Sequence, residues 1–187
     1  MFSVGDRVVH PMHGAGVIDS IVEEQIGDSS QEYYVFKMPI GGLLLKVPTA
    51  NSQTIGIRAI VDRAEAERVL ASIPELDINL TVNWNRRYRE NMLRLKSGDL
   101  YEVARVIKGL MRRDGDRGLS TGERKMLHSA KQILISEIVL TEESDYEEVE
   151  GRVNAAMALA DSKPASTATP AIEASGMDGK GNETTLS

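Results

Sequence analysis

Near residue 57 the apolar residues change their spacing, and this change limits the possible folds more than any other feature. Before it, short apolar runs sit between turn residues. Val8-Val9 follows Gly5-Asp6, Val17-Ile18-Asp19-Ser20-Ile21-Val22 follows Gly14 and Gly16, and Tyr33-Tyr34-Val35-Phe36-Lys37-Met38 follows the polar stretch Gln25 to Ser30. Gly41-Gly42 then separates that run from Leu43-Leu44-Leu45-Lys46-Val47-Pro48, as in a two-residue hairpin. Four or five short strands in about fifty residues predict a small, strongly bent barrel of the SH3 or Tudor type, a fold that has a small core and can leave a strand edge open.

After residue 57 the apolar residues recur at three and four. One helix is predicted from Ala59 to Ser72, stopped by Pro74. A second runs from about Asn83 to Lys96, with Gly98 just past its end. Three pairs have the spacing of a cap and its third helical residue: Asp99 and Glu102, Ser120 and Glu123, Ser144 and Glu147. Behind them lie the stripes Leu100, Val103, Ile107, Leu110; Met126, Ala130, Ile133, Leu134, Ile138; and Tyr146, Val149, Val153, Ala156, Met157. Arg112 to Leu119 reads as a charged loop. The expected fold class is α+β: a Tudor/SH3-like domain over residues 1–55, a helical domain of about five helices over 56–160, and a disordered tail over 161–187, rich in Ala, Ser and Thr.

The net charge of −6 is unevenly spread. Residues 80–131 carry thirteen basic and six acidic side chains, and residues 132–187 carry three and eleven. With a Debye length near 8 Å, the local excess of +7 decides what approaches that segment. There is no cysteine, which excludes disulfides and thiolate chemistry. No apolar run is long enough to span a bilayer, and Met1 to Asp6 does not read as a signal peptide, so the cytoplasm is the expected location.

Few residues suggest chemistry. His10 and His13 invite a metal, but His128 is the only other histidine, and loop histidines bonded to backbone are commoner. The acidic residues read as caps and solvated faces, and neither a nucleophile elbow nor a phosphate-binding glycine loop occurs. Neither an enzyme nor a cofactor or metal is expected.

The informative stretch is Asn83-Trp84-Asn85-Arg86-Arg87-Tyr88-Arg89-Glu90-Asn91-Met92, which holds the only tryptophan. Tyr88, Met92 and Leu95 form its apolar stripe, with Arg86, Arg87 and Arg89 on either side. An aromatic at the end of an arginine-framed helix suits a wedge against DNA, with arginines on phosphates. It equally suits a ring that staples the helix start to the bundle, and the stretch alone does not separate the two. Arg112, Arg113, Arg117, Arg124, Lys125 and Lys131 form a second basic group.

At this stretch the chain resembles the CarD-like family, which includes CarD, CdnL and the polymerase-interacting module of the transcription-repair coupling factor. Four segments carry the likeness, in family order: Val4 to Gly14, Lys46 to Asn51, Asn83 to Arg89 with Ser97-Gly98-Asp99, and Arg112-Arg113-Asp114 through Arg117-Gly118-Leu119-Ser120-Thr121-Gly122-Glu123 to Met126-Leu127. Together they cover residues 1 to about 160. The resemblance implies that the barrel adds a strand edge to the RNA polymerase β subunit, with Lys46 in a basic contact position and Ile26 and Pro48 in the contact strands. Some members carry an arginine where this chain has Glu24. It implies further that Trp84 enters the minor groove of double-stranded promoter DNA at the upstream edge of the bubble and favours the open complex. Arg86, Arg87 and Arg89 would hold adjacent phosphates, and Arg124 and Lys125 a further patch, without sequence-specific readout. The expected protein is a monomeric transcription regulator associated with the nucleoid through RNA polymerase. The alternatives are a protein adaptor, with Trp84 as an interface hot spot, and a general nucleic-acid-binding module.

Overall fold

The computed structural model describes residues 1–78 and 83–161. The expected tail lies outside these residues, apart from its first position. Five antiparallel strands come first: β1 (Arg7–His10), β2 (Gly14–Ile26), β3 (Ser29–Lys37), β4 (Leu44–Pro48) and β5 (Arg58–Ala59), with the one-turn helix α1 (Ser52–Ile55) before β5. Their order is β4-β3-β2-β1-β5. The Tudor-like sheet is therefore open, since β4 and β5 form its two edges and do not pair. The long β2–β3 hairpin bends at a register shift between Ile18 and Ser20. Val8, Ile18, Tyr34, Phe36, Met38, Val47 and Ile57 fill the concave side.

Five longer helices follow: α2 (Arg63–Ser72), α3 (Trp84–Lys96), α4 (Leu100–Arg117), α5 (Thr121–Glu142) and α6 (Tyr146–Asp161). The three stripes read from the sequence supply most of their common core, including Leu100, Val103, Ile107, Leu110, Ile133, Leu134, Ile138, Val149 and Val153.

Four local expectations are corrected. Ala59 does not begin α2; Arg58 and Ala59 pair with Val9 and Val8 of β1, and the helix starts after the Asp62 cap. A nonlocal partner outcompetes a local helical start here. Gly41-Gly42 is not a two-residue turn; both residues have positive φ inside a longer loop that Met38 N–H closes onto the Leu43 carbonyl. Arg112 to Arg117 is helical, the end of α4, and Gly118 turns the chain out of it. Asp145, rather than Ser144, caps α6 by accepting from Glu148 N–H.

The sheet and the helices are joined along α5. Glu137, fully buried, accepts both terminal nitrogens of Arg58 at 2.6 and 2.9 Å, and Val61 N–H at 2.9 Å. Arg58 also donates to the Gly98 carbonyl at the α3–α4 turn. Ala15 N–H donates to the Ser136 hydroxyl, and Arg7 to the Leu140 carbonyl. The strand backbone comes so close to α5 at Gly14 that a Cβ there would overlap the Ser136 hydroxyl.

Candidate nucleic-acid interface

The interface is built where α3 begins, because three helix ends meet there. Asn83 caps α3 by accepting from Arg86 N–H, which leaves Trp84 at the first helical position. The residue is 43 % exposed. One face of the indole stacks on Tyr88, with ring centroids 5.2 Å apart and planes 25° from parallel. The indole N–H donates to the Ser120 hydroxyl at 3.2 Å, and the six-membered ring lies over Gly122. Trp84 thus packs against the bundle, as a staple would, and remains partly exposed.

Ser120 and Glu123 form the predicted capping box of α5. Glu123 is buried beneath the surface, where Arg87 donates to it at 2.6 and 3.0 Å and Arg113 approaches to 3.5 Å. Burial pushes the Glu123 carboxyl up, but hydrogen bonds from Arg87 and from Ser120 outweigh it and hold the group below the usual carboxylate range.

This pair corrects one expectation. Arg87 is only 5 % exposed and committed to Glu123, so it cannot also reach a phosphate. Arg86 and Arg89 are exposed and line an open depression on α3 with Asn83, Asn85, Glu90 and Leu93. Arg86 pairs with Glu90 at 2.7 Å, an exposed pair of the kind that contributes little to stability. Arg124 and Lys125 are exposed on the first turn of α5, next to the Trp84 seat. Lys125 lies at the rim of a cavity of about 140 Å³ lined by Met12, Tyr88, Met92, Gly122 and Met126. Trp84 and Lys125 therefore lie on the side where α3 meets the start of α5, Arg124 is exposed on the same turn of α5, and Arg86 and Arg89 line a separate depression on α3.

The other candidate residues lie on the sheet. Lys46 and Pro48 belong to β4, whose outer edge has no strand partner among the described residues. Pro48 lacks an N–H and suits an edge. Ile26 ends β2, exposed. Register puts Pro48 beside Tyr33 and Tyr33 beside Val22, so Ile26 lies four residues, about 13 Å, further along the hairpin. The three residues mark an edge and a projecting arm rather than one cluster. Lys46 pairs with Glu24, so its charge is compensated at the surface.

The rings of His10 and His13 lie 4.5 Å apart, tilted by 52°, and Met12 N–H donates to His10 Nδ1. Burial, with a smaller contribution from His13, pushes His10 down to about 4. Among the described residues no group of three side chains stands close enough to hold a metal, and no helix is long and apolar enough to cross a membrane.

Sequence reasoning missed Ser120, Gly122 and Glu123 as the seat of Trp84, and Arg58 and Glu137 as the joint between sheet and helices. The capping-box spacing marked Ser120 and Glu123, but nothing in it names an aromatic partner. Glu137 stood out only as a carboxylate within the apolar run Ile133 to Val139.

Comparison with known proteins adds three findings. The family model "CarD-like/TRCF RID domain" matches residues 2–61. The model "CarD, C-terminal domain" matches residues 68–154. A Bacillus subtilis (strain 168) protein described as "Putative transcription factor YdeB" is 34% identical over 138 residues, which cover 74% of this chain and 90% of the relative.

Proposed function

The chain belongs to the CarD-like family, and from that premise we propose that it regulates transcription as a monomeric, non-enzymatic tether in the cytoplasm. One part holds RNA polymerase and the other holds promoter DNA. The unpaired edge of β4, with Lys46 and Pro48, takes a strand of the polymerase β subunit, and Ile26 on the hairpin arm extends that contact. Backbone hydrogen bonds along the edge supply affinity, and side chains set the register.

The helical face binds duplex DNA at the upstream edge of the bubble. Trp84 wedges into the minor groove, which opposes bubble collapse and lengthens the life of the open complex. Arg86, Arg89, Arg124 and Lys125 neutralise phosphates around it, a contact that carries no sequence information. Once polymerase is held, the DNA contact is intramolecular, and effective concentration amplifies a weak affinity.

The observation that carries this reading is an exposed tryptophan at the start of α3, on a helix whose Arg86 and Arg89 are exposed, packed against the start of α5 where Arg124 and Lys125 are exposed and the Glu123 carboxylate is buried and paired. The test is open-complex lifetime on a promoter with the cognate polymerase, comparing wild type with Trp84→Ala. Wild type lengthens the lifetime, and Trp84→Ala loses most of the effect while still binding polymerase. Equal lifetimes for the two proteins would overturn the wedge.

A further inference from the structure

The Ser120 hydroxyl makes three hydrogen bonds, which use all of its capacity. It accepts Glu123 N–H at 3.2 Å, donates to Glu123 Oε2 at 3.0 Å, and accepts the Trp84 indole N–H at 3.2 Å. With the proton committed to the carboxylate and one lone pair to the backbone, the remaining lone pair is left for the indole. The carboxylate that orients the hydroxyl is itself fixed from below by Arg87 of α3 and Arg113 of α4.

We propose that Ser120 and Glu123 are positioning residues for Trp84: the hydroxyl, oriented by the carboxylate, holds the indole in the attitude that meets DNA. The inference rests on the tether reading above and adds to it the residues that aim the wedge. Three observations carry it together. Trp84 stacks on Tyr88, a contact that by itself resists sliding and turning in the ring plane only weakly, and the bond to Ser120 adds a directional hold. Gly122 presents no side chain beside the ring, where a Cβ would sit 3.5 Å from Tyr88 and 3.9 Å from Trp84, so it adds no side-chain hold of its own to the bond from Ser120. The carboxylate is buried and doubly paired, so its orientation does not follow solvent fluctuation.

A ring held in place before binding loses less freedom on entering the groove, so weakening the hold reduces the useful contact without removing any atom that touches DNA. Loss of the hydroxyl frees the indole to sample other attitudes. A threonine keeps the hydroxyl and the cap.

Trp84 is the only tryptophan, so its fluorescence and its single indole N–H resonance report the ring directly. The experiment compares wild type, Ser120→Ala, Ser120→Thr, Glu123→Gln, Trp84→Ala and Asp99→Ala, all as full chains. Asp99 caps α4 by accepting from Tyr101 N–H, so its variant controls for a lost helix cap as such. Ser120→Ala is expected to red-shift the emission, raise the exchange rate of the indole proton and lose most of the open-complex lifetime extension at unchanged polymerase affinity. Glu123→Gln shows the same changes to a smaller degree, Ser120→Thr restores wild-type values, and Asp99→Ala keeps both signals.

If Ser120→Ala keeps the wild-type indole resonance and lifetime while Trp84→Ala loses the lifetime, the positioning role falls and the tether stands. If Asp99→Ala loses the lifetime as far as Ser120→Ala does, cap loss explains the effect and the positioning role falls. If Trp84→Ala changes nothing, the tether reading itself fails, and an unmoved indole resonance in Ser120→Ala would overturn the positioning independently.

Discussion

Arg86 and Arg87 are adjacent in sequence, yet exchanging each for an uncharged residue should damage different properties. Arg87→Met leaves Glu123 buried with only Ser120 and the more distant Arg113 as partners. Breaking a buried pair from one side costs about 3–5 kcal/mol. Arg113 remains within 3.5 Å, so the lower limit of about 3 kcal/mol applies, a fall in Tm on the order of 6–12 °C for a chain of this size. Arg86→Ala removes an exposed pair worth well under about 1 kcal/mol and leaves Tm almost unmoved. In DNA binding the order reverses. Arg86→Ala should lower the slope of log affinity against log salt by about one phosphate contact, and Arg87→Met should leave that slope unchanged wherever the protein is folded. Thermal unfolding and a salt titration of DNA binding measure both. The double variant Arg87→Met/Glu123→Gln is the internal check: removing the charge that Arg87 neutralised should recover part of the lost stability. A double variant that is less stable than the two single losses added together would refute the buried-pair account, and so would a changed salt slope in folded Arg87→Met.

Two further expectations follow from the joint and the loop. Glu137→Gln should cost about 2–3 kcal/mol, since it weakens a buried bidentate arginine bond and the Val61 bond together; hydrogen exchange at Val61 N–H should accelerate more than at strand amides distant from α5, and uniform exchange would contradict it. His10 is held neutral in the fold, down to about 4 against an unfolded value of 6.5. Its contribution is therefore complete above pH 6.5 and is lost as pH falls towards 4, because the unfolded chain takes up the proton first. For a partly buried ring this amounts to about 1 kcal/mol by pH 5 after screening. Urea midpoints at pH 7.5 and 5 should differ less in His10→Asn than in wild type.

The elements legible in the sequence are those whose signals are local. The period of the apolar residues gave the strands and the three core stripes, and Asn83 and the Ser120–Glu123 box gave two helix starts correctly. The misplaced features depend on partners distant in sequence. Ala59 follows β1, forty-nine or more residues upstream of it, and the last turns of α4 are held where Arg113 reaches Glu123 of α5. Arg87 shows the limit most directly. It lies four residues from Asn91 and eight from Leu95, at the margin of a stripe read as Tyr88, Met92 and Leu95. An apolar stripe spans about 100° or more, so that margin was open to burial. Yet a charged side chain at such a margin is buried only if a counter-charge meets it, and Glu123 lies thirty-six residues away, on another helix.

The same distant contacts explain why the two proposed surfaces act as one. Helix α5 carries the Trp84 seat at Ser120 and the sheet joint at Glu137, seventeen residues apart, or about 25 Å along a helix axis. A helix is stiff over that length, and both ends are fixed by buried carboxylates, Glu123 and Glu137, each held by an arginine from another element. A flexible connection between the surfaces would dilute the effective concentration of the DNA face over the volume that the linker explores. If the chain is the tether proposed above, the α5 strut would restrict that volume to one distance and one orientation, and the strength of the tether would depend on the two ion pairs along it. Glu137→Gln should therefore shorten open-complex lifetime although it touches neither the β4 edge nor Trp84, and an unaltered lifetime alongside faster Val61 exchange would mean that the joint stabilises the fold without setting the reach of the wedge.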